Sequence, residues 1–450
     1  MLAPLLLLAP TVLANEPPAP PWVPDIPMAA VHAAIDGRAP SPHVRVLEPP
    51  PQLLLSPGPP PPFPDKQLYG GRMDHHVDST NFTVAWAEGD ATQVDGELAS
   101  QALEAAWQAL VEEQAWQPPA SSDTYMLWVI LDPSLGGTGL TTEYTSPDFP
   151  DGYPVMFLNP TYTYDTDFFE SLSAHEFSHA LQFALRDWAG SASDAWYWEA
   201  SAEWMAELAR PELDVYAWSA AHYSSHPWYR FDSVDDYHQY GMCVLNAYVE
   251  EHLTGDGGVR AVWELSAERT GNSWDEVLVE ALGVSAGDVW GGFTGAMGNQ
   301  LLGESSFYEP VLSDGYAEDG LEGEVAMLGT DYFEILQDAT VTVVATVEGE
   351  KVLISGPGEW GTTLNMGAGE VLGVTGVTEP TADYRLTVEP STVERDSGDT
   401  GDTGDPDKPE EPGGCACGGG VGGTFWVGLL ALGWTRRRSG APLTRTSSSW

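Results

Sequence analysis

Between Asp167 and Arg186 the chain runs without glycine or proline, and inside that run stands His175-Glu176-Phe177-Ser178-His179. Apolar residues recur through it at helical spacing and an aspartate is available as N-cap, so the pattern predicts a helix. On a helix, positions i and i+4 share a face. Two imidazoles so placed reach one metal ion at about 2.0–2.1 Å, while Glu176 sits about 100° round the axis and leans towards the remaining coordination position, where a water and its base would stand. With 10 histidines and 67 acidic residues in 450 positions, an accidental His-acid-x-x-His is expected on the order of 0.03 times per chain.

An open metal site wants a third protein ligand, and Trp196-Tyr-Trp-Glu-Ala-Ser-Ala-Glu-Trp-Met-Ala-Glu207 provides candidates. Glu199 falls 20 positions after His179, and Glu203 follows one turn later on the same face. Trp196, Trp198 and Trp204 argue for a buried helix, in which an unpaired carboxylate is costly and a metal ion compensates for it.

This arrangement resembles the peptidase MA-like gluzincins and, more narrowly, a metalloprotease family common in myxobacteria. The likeness spans about Asn81 to Gly255. It implies a zinc-dependent peptidase with His175, His179 and Glu199 as ligands, Glu176 as general base and Glu203 orienting His175. A metzincin would carry glycine at 182 and histidine at 185, where this chain has Gln182 and Leu185. In gluzincins a strand beside the metal pairs with the substrate backbone, and by resemblance that strand is Val155 to Leu158. Tyr237-His-Gln-Tyr-Gly241 is similar to the aminopeptidase segment in which a tyrosine stands three residues before a glycine. Here that position is His238 and Tyr240 adjoins the glycine, so both stand as candidate transition-state donors.

The expected fold class is α+β: a thermolysin-like catalytic domain with a mixed sheet and active-site helices over 66–303, then a small antiparallel β-sandwich over 304–391. Strands are predicted at Asn81–Trp86 and Tyr125–Leu131 with a helix from Gly96 to Trp116 between them, followed by a Gly/Thr/Pro-rich connection and the apolar run Val155–Leu158. In the second domain, short β-rich runs fall at Tyr332–Leu336, Thr340–Val347, Lys351–Ile354, Val371–Val374 and Tyr384–Val388. Cys243, in an apolar helical stretch, reads as a buried structural thiol.

The ends differ in kind. Residues 1–14 form a leucine-rich run closing on Val12-Leu13-Ala14, a secretory signal by pattern, and 15–65 is a proline-rich leader. Residues 392–412 make an acidic linker with tandem Gly-Asp-Thr. Over 413–450, Cys415 and Cys417 in a Gly-rich segment, the apolar stretch Val421–Trp434 and Arg436-Arg-Arg438 together resemble a myxobacterial C-terminal sorting signal, which implies transient membrane retention, processing near the cysteines and display at the cell surface. Acidic residues outnumber basic ones 67 to 17, a formal charge of -50 that excludes nucleic acid as a partner. The implied partner is a protein or peptide substrate. Two other readings compete: a non-catalytic surface protein that keeps the fold and binds carbohydrate or protein through its β-domain, and a zinc hydrolase acting on a non-peptide bond. An intact Glu176 with a full ligand set favours the peptidase.

Overall fold

A computed structural model describes residues 58–60, 73–146, 149–186, 192–303, 310–311, 313–377 and 380–391. The expected signal peptide, almost all of the proline-rich leader, the acidic linker and the sorting segment with Cys415 and Cys417 lie outside the described residues. Among the described residues no helix is long and apolar enough to cross a membrane.

The first layer is a five-stranded mixed sheet in the order β1-β2-β3-β5-β4. Its strands are β1 (His75–Asp78), β2 (Phe82–Trp86), β3 (Leu127–Leu131), β4 (Gly139–Ser146) and β5 (Phe149–Leu158). β2, β3 and β5 run parallel to one another, and β1 and β4 flank them antiparallel. The inner strands read as continuous apolar runs because both their faces are covered. All five residues of β2 are buried.

Helices cover this sheet. The helix α1 (Gln93–Trp107) starts at Thr92, whose side chain forms a reciprocal capping box with Asp95, and it continues into a π-helical turn, Gln108–Glu113. The helix expected at Gly96 therefore begins three residues earlier, inside the polar stretch that the capping box accounts for. The motif helix α2 (Thr166–Leu185) is capped by Asp165, which accepts from the Phe168 backbone N–H. Its Phe177 packs between Phe82 of β2 and Trp107 of α1, with ring centroids 5.4 and 5.7 Å away. Small buried residues, Ser173, Ala174, Ser178 and Ala180, let it lie close to its neighbours. Next come α3 (Ala192–Ala209), α4 (Tyr216–Ser225), the one-turn α5 (His238–Gly241), α6 (Cys243–Tyr248), α7 (Gly258–Glu268), α8 (Trp274–Leu282) and α9 (Gly292–Gly298). The Cys243 thiol is fully buried within this core and burial pushes its pKa up, consistent with packing alone.

The C-terminal strands are β6 (Glu322–Ala326), β7 (Thr330–Glu334), β8 (Ala339–Ala345), β9 (Val352–Gly356), β10 (Glu359–Gly361), β11 (Thr363–Met366), β12 (Val371–Gly376) and β13 (Thr381–Pro390). They form two four-stranded antiparallel sheets, β10-β9-β12-β7 and β11-β8-β13-β6. Alternating residues of both, including Val341, Ile354, Val374 and Leu386, meet in one core. This part is also tied to the helices. Tyr332 is buried in the helical core, its hydroxyl donating to the Thr294 carbonyl at 2.9 Å, and the Asn299 amide makes a reciprocal pair of 2.9 Å bonds with the Val371 backbone.

Candidate metal centre

His175 and His179 stand one turn apart on α2, and α3 crosses them so that Glu199 faces both. The three ligating atoms form a tight triangle: His175 Nε2 to His179 Nε2 is 3.1 Å, His175 Nε2 to Glu199 Oε2 is 3.2 Å, and His179 Nε2 to Glu199 Oε2 is 3.5 Å. A tetrahedral centre with bonds of about 2.0–2.1 Å sets its ligand atoms about 3.3–3.4 Å apart, so the spacing suits a bound metal ion.

The protons on the far sides of the rings strengthen that fit. His175 Nδ1 lies 3.0 Å from Glu203 Oε2, and a carboxylate only accepts, so Nδ1 carries the hydrogen. Glu203 Oε1 in turn accepts from the Ser219 hydroxyl at 2.6 Å. His179 Nδ1 lies 2.8 Å from Gln182 Oε1. The orientation of that amide follows from its other end, where Nε2 donates to the Trp198 carbonyl at 3.0 Å and to Ser201 Oγ at 3.1 Å. Ser201 is saturated, since it also accepts from Trp263 Nε1 at 3.0 Å and donates to the Tyr197 carbonyl. With each Nδ1–H committed, the two rings in their neutral form would present an Nε2 lone pair to the same point as the Glu199 oxygen. Such a convergence could hold a metal cation.

The electrostatics agree. Burial opposes ionisation of Glu199, yet the pull of His179 and His175 outweighs it and its carboxyl is held well below the usual range. For His175, burial works against protonation and is overcome by Glu199 and Glu203, which raise its pKa well above that of free histidine. The pocket attracts positive charge.

Glu176 points the other way round α2, towards β4. Its carboxylate accepts from the Thr141 hydroxyl at 2.7 Å, and the same hydroxyl lies 2.8 Å from the Glu176 carbonyl. A Cβ on Gly139 would stand 2.3 Å from Glu176 Oε1, so only glycine lets the strand pass this close. Burial, the largest influence, raises the Glu176 pKa against the pull of His179 and His175.

Tyr240 on α5 completes the group. Its ring centroid lies 6.0 Å from that of His175, near enough to Glu199, Glu176 and Glu203 to feel their charges. Burial and the charges of Glu199, Glu176 and Glu203 push its pKa well up, so it stays a neutral donor. Gly241 makes this placement possible: a Cβ there would fall 2.4 Å from the Tyr223 backbone nitrogen of α4.

The structure thus brings together His175, Glu176, His179, Glu199, Glu203 and Tyr240. His238 is a correction. It is fully buried away from the triad, with its ring packed against Tyr223 and Tyr229 at 5.8 and 5.7 Å, because two residues along a helical turn point to nearly opposite sides. The substrate-strand expectation is corrected too. Val155 to Leu158 are paired on both sides, with β3 and β4, and have no free edge. The outer strand beside Glu176 is β4, which lies in the stretch expected to be a Gly/Thr/Pro-rich connection. Thr141, Gly139, Gln182, Ser201 and Ser219 were not anticipated. The signal available for Gln182 was its position three residues after His179 on one helix face.

Residues 72–272 are similar to a family described as a family of unknown function (DUF6055). Comparison of the chain with curated proteins returns no match. The matched segment holds the triad, Glu176, Glu203 and Tyr240, so every residue of this centre belongs to the part of the chain that is similar to that family.

Proposed function

We propose that the chain is a zinc-dependent peptidase of the gluzincin type, exported and displayed at the cell surface. The observation that carries the reading is the convergence of two Nε2 lone pairs and one carboxylate oxygen, with both Nδ1 protons tied to Glu203 and Gln182. A mixed sheet whose antiparallel outer strand runs beside the motif helix supports a thermolysin-like arrangement. Export and surface retention rest on the terminal sequence patterns.

Zinc held there supplies Lewis acidity, polarising a carbonyl and lowering the pKa of a water to about 7. Glu176 takes the proton of the attacking water and delivers it to the leaving amine. A buried carboxyl with a raised pKa suits a group that must hold a proton during turnover. Thr141 keeps it aimed. Tyr240, kept protonated, donates to the oxyanion that develops at the attacked carbonyl. The outer edge of β4 offers main-chain groups to an extended substrate.

The test uses the purified full chain, with metal analysis and casein digestion before and after chelation. One zinc per chain and chelator-sensitive digestion are expected, and Glu176→Gln should keep the zinc while losing hydrolysis by about 10²-fold or more. A Glu176→Gln protein that still digests casein, or a chain that takes up no zinc, would overturn the reading. Zinc uptake without digestion of any peptide would favour hydrolysis of a different bond.

A further inference from the structure

Tyr240 is the inner end of a half-buried aromatic wall. From it, ring centroids step 6.3 Å to Tyr237 and then 6.2 Å to Trp218, with His222 wedged between the last two at 5.4 and 4.4 Å. All four residues are half-buried. The wall is continuous with the metal centre through α4 as well, since Ser219, next to Trp218, holds Glu203.

The turn carrying Tyr237 is unusual. Asp236 (φ 51°, ψ 34°) and Tyr237 (φ 60°, ψ 22°) are consecutive left-handed residues, a conformation uncommon for aspartate and rarer for tyrosine. It persists because the surroundings hold it: the Tyr229 hydroxyl donates to Asp236 Oδ2 at 2.6 Å, and the His222 ring packs against that of Tyr237 at 5.4 Å. The result turns the Tyr237 ring onto the wall and leaves Asp235 and Asp236 exposed at its rim.

We propose that this wall is a subsite for a lysine or arginine side chain of the substrate, one or two residues from the bond cut. The proposal rests on the peptidase reading. A long basic side chain lying along the wall from Tyr240 outwards sets its alkyl stem and cation against the rings of Tyr237 and Trp218, with the exposed Asp235 and Asp236 adjoining Tyr237 in the chain. Aromatic faces alone would also take leucine or phenylalanine. The exposed carboxylates at the rim and the chain's formal charge of -50 favour a cation, and an acidic side chain is repelled at the same place.

The experiment uses the zinc-loaded full chain and quenched peptides that differ at a single position flanking the cut, carrying lysine, leucine or glutamate. Lysine should exceed leucine in kcat/KM on the order of ten-fold, with glutamate slowest. Asparagine tolerates the left-handed region, so the double variant Asp235→Asn, Asp236→Asn keeps the turn and should bring lysine to within about three-fold of leucine. Binding of the same peptides to zinc-loaded Glu176→Gln, followed by fluorescence anisotropy, gives an independent readout with the same order expected. Equal affinity for the lysine and leucine peptides, or a lysine preference that the aspartate variant leaves intact, overturns the subsite. Selective lysine binding without cleavage by the wild-type chain supports the subsite and removes the peptidase reading instead.

Discussion

Gln182 does for His179 what Glu203 does for His175, with a neutral amide in place of a charge. The amide is itself held by Trp198 and Ser201, so its oxygen has no other orientation in which all its bonds are kept. Gln182→Leu should therefore lower zinc affinity by about 10–100-fold through loss of the fixed tautomer, with Glu176 and the ligands unchanged. Competition against a chromophoric chelator measures this, and an unaltered zinc affinity would count against the role. At this scale helical periodicity put the histidines and Glu176 on defined faces, while Glu199 and Glu203 were singled out by spacing, by the aromatics around them and by the resemblance. Gln182 was visible in the sequence only as the residue that denies a metzincin. Its acceptor role depends on a bond to the Trp198 backbone, which no sequence spacing encodes.

Two short elements decide how the site closes, and both were hard to read. β4 carries Gly139, Thr141 and Thr142 in a stretch whose glycines look like those of a loop; its identity as a strand comes from pairing with β5 and not from its own propensity. The interior strands and α2 declared themselves by continuous apolarity and by a long Gly- and Pro-free period. The β6, β10 and β11 strands escaped notice because each is short; β6 and β11 take partners distant in sequence, while β10 is three residues turned back on β9. The single turn α5 is positioned by contact, through the close approach of Gly241 to α4. Gly241→Ala should force the two apart, costing about 1–3 kcal/mol of stability and moving the Tyr240 ring from its place beside His175. Thermal unfolding together with kcat on a peptide substrate checks this. Retention of both values would mean that α5 needs no close packing to hold Tyr240.

For the molecule as a whole, the buried imidazole of His238 sets an acid limit. Burial, with His226 and His222 nearby, pushes its pKa down to about 3, and neither ring nitrogen has a hydrogen-bond partner among the described residues. The unfolded chain takes up that proton near the ordinary histidine value of about 6.5, so between the two values the unfolded state binds more protons than the folded one. Stability contributed by a neutral His238 is present above about pH 6.5 and drains away as the pH falls, by up to about 1.4 kcal/mol per unit. His238→Phe should flatten the decline of Tm between pH 7 and pH 4 relative to wild type, and parallel curves would sink the assignment. The change from a helix-rich stretch to a β-rich one was legible from the change in periodicity. Their union was not, because it depends on Tyr332 reaching the Thr294 carbonyl and on the Asn299 amide pairing with Val371. That seam gives the two parts a shared inheritance: strands exchanged for those of another protein would arrive without the tyrosine that plugs the helical core, so any lineage that reshapes one side must revise the other with it.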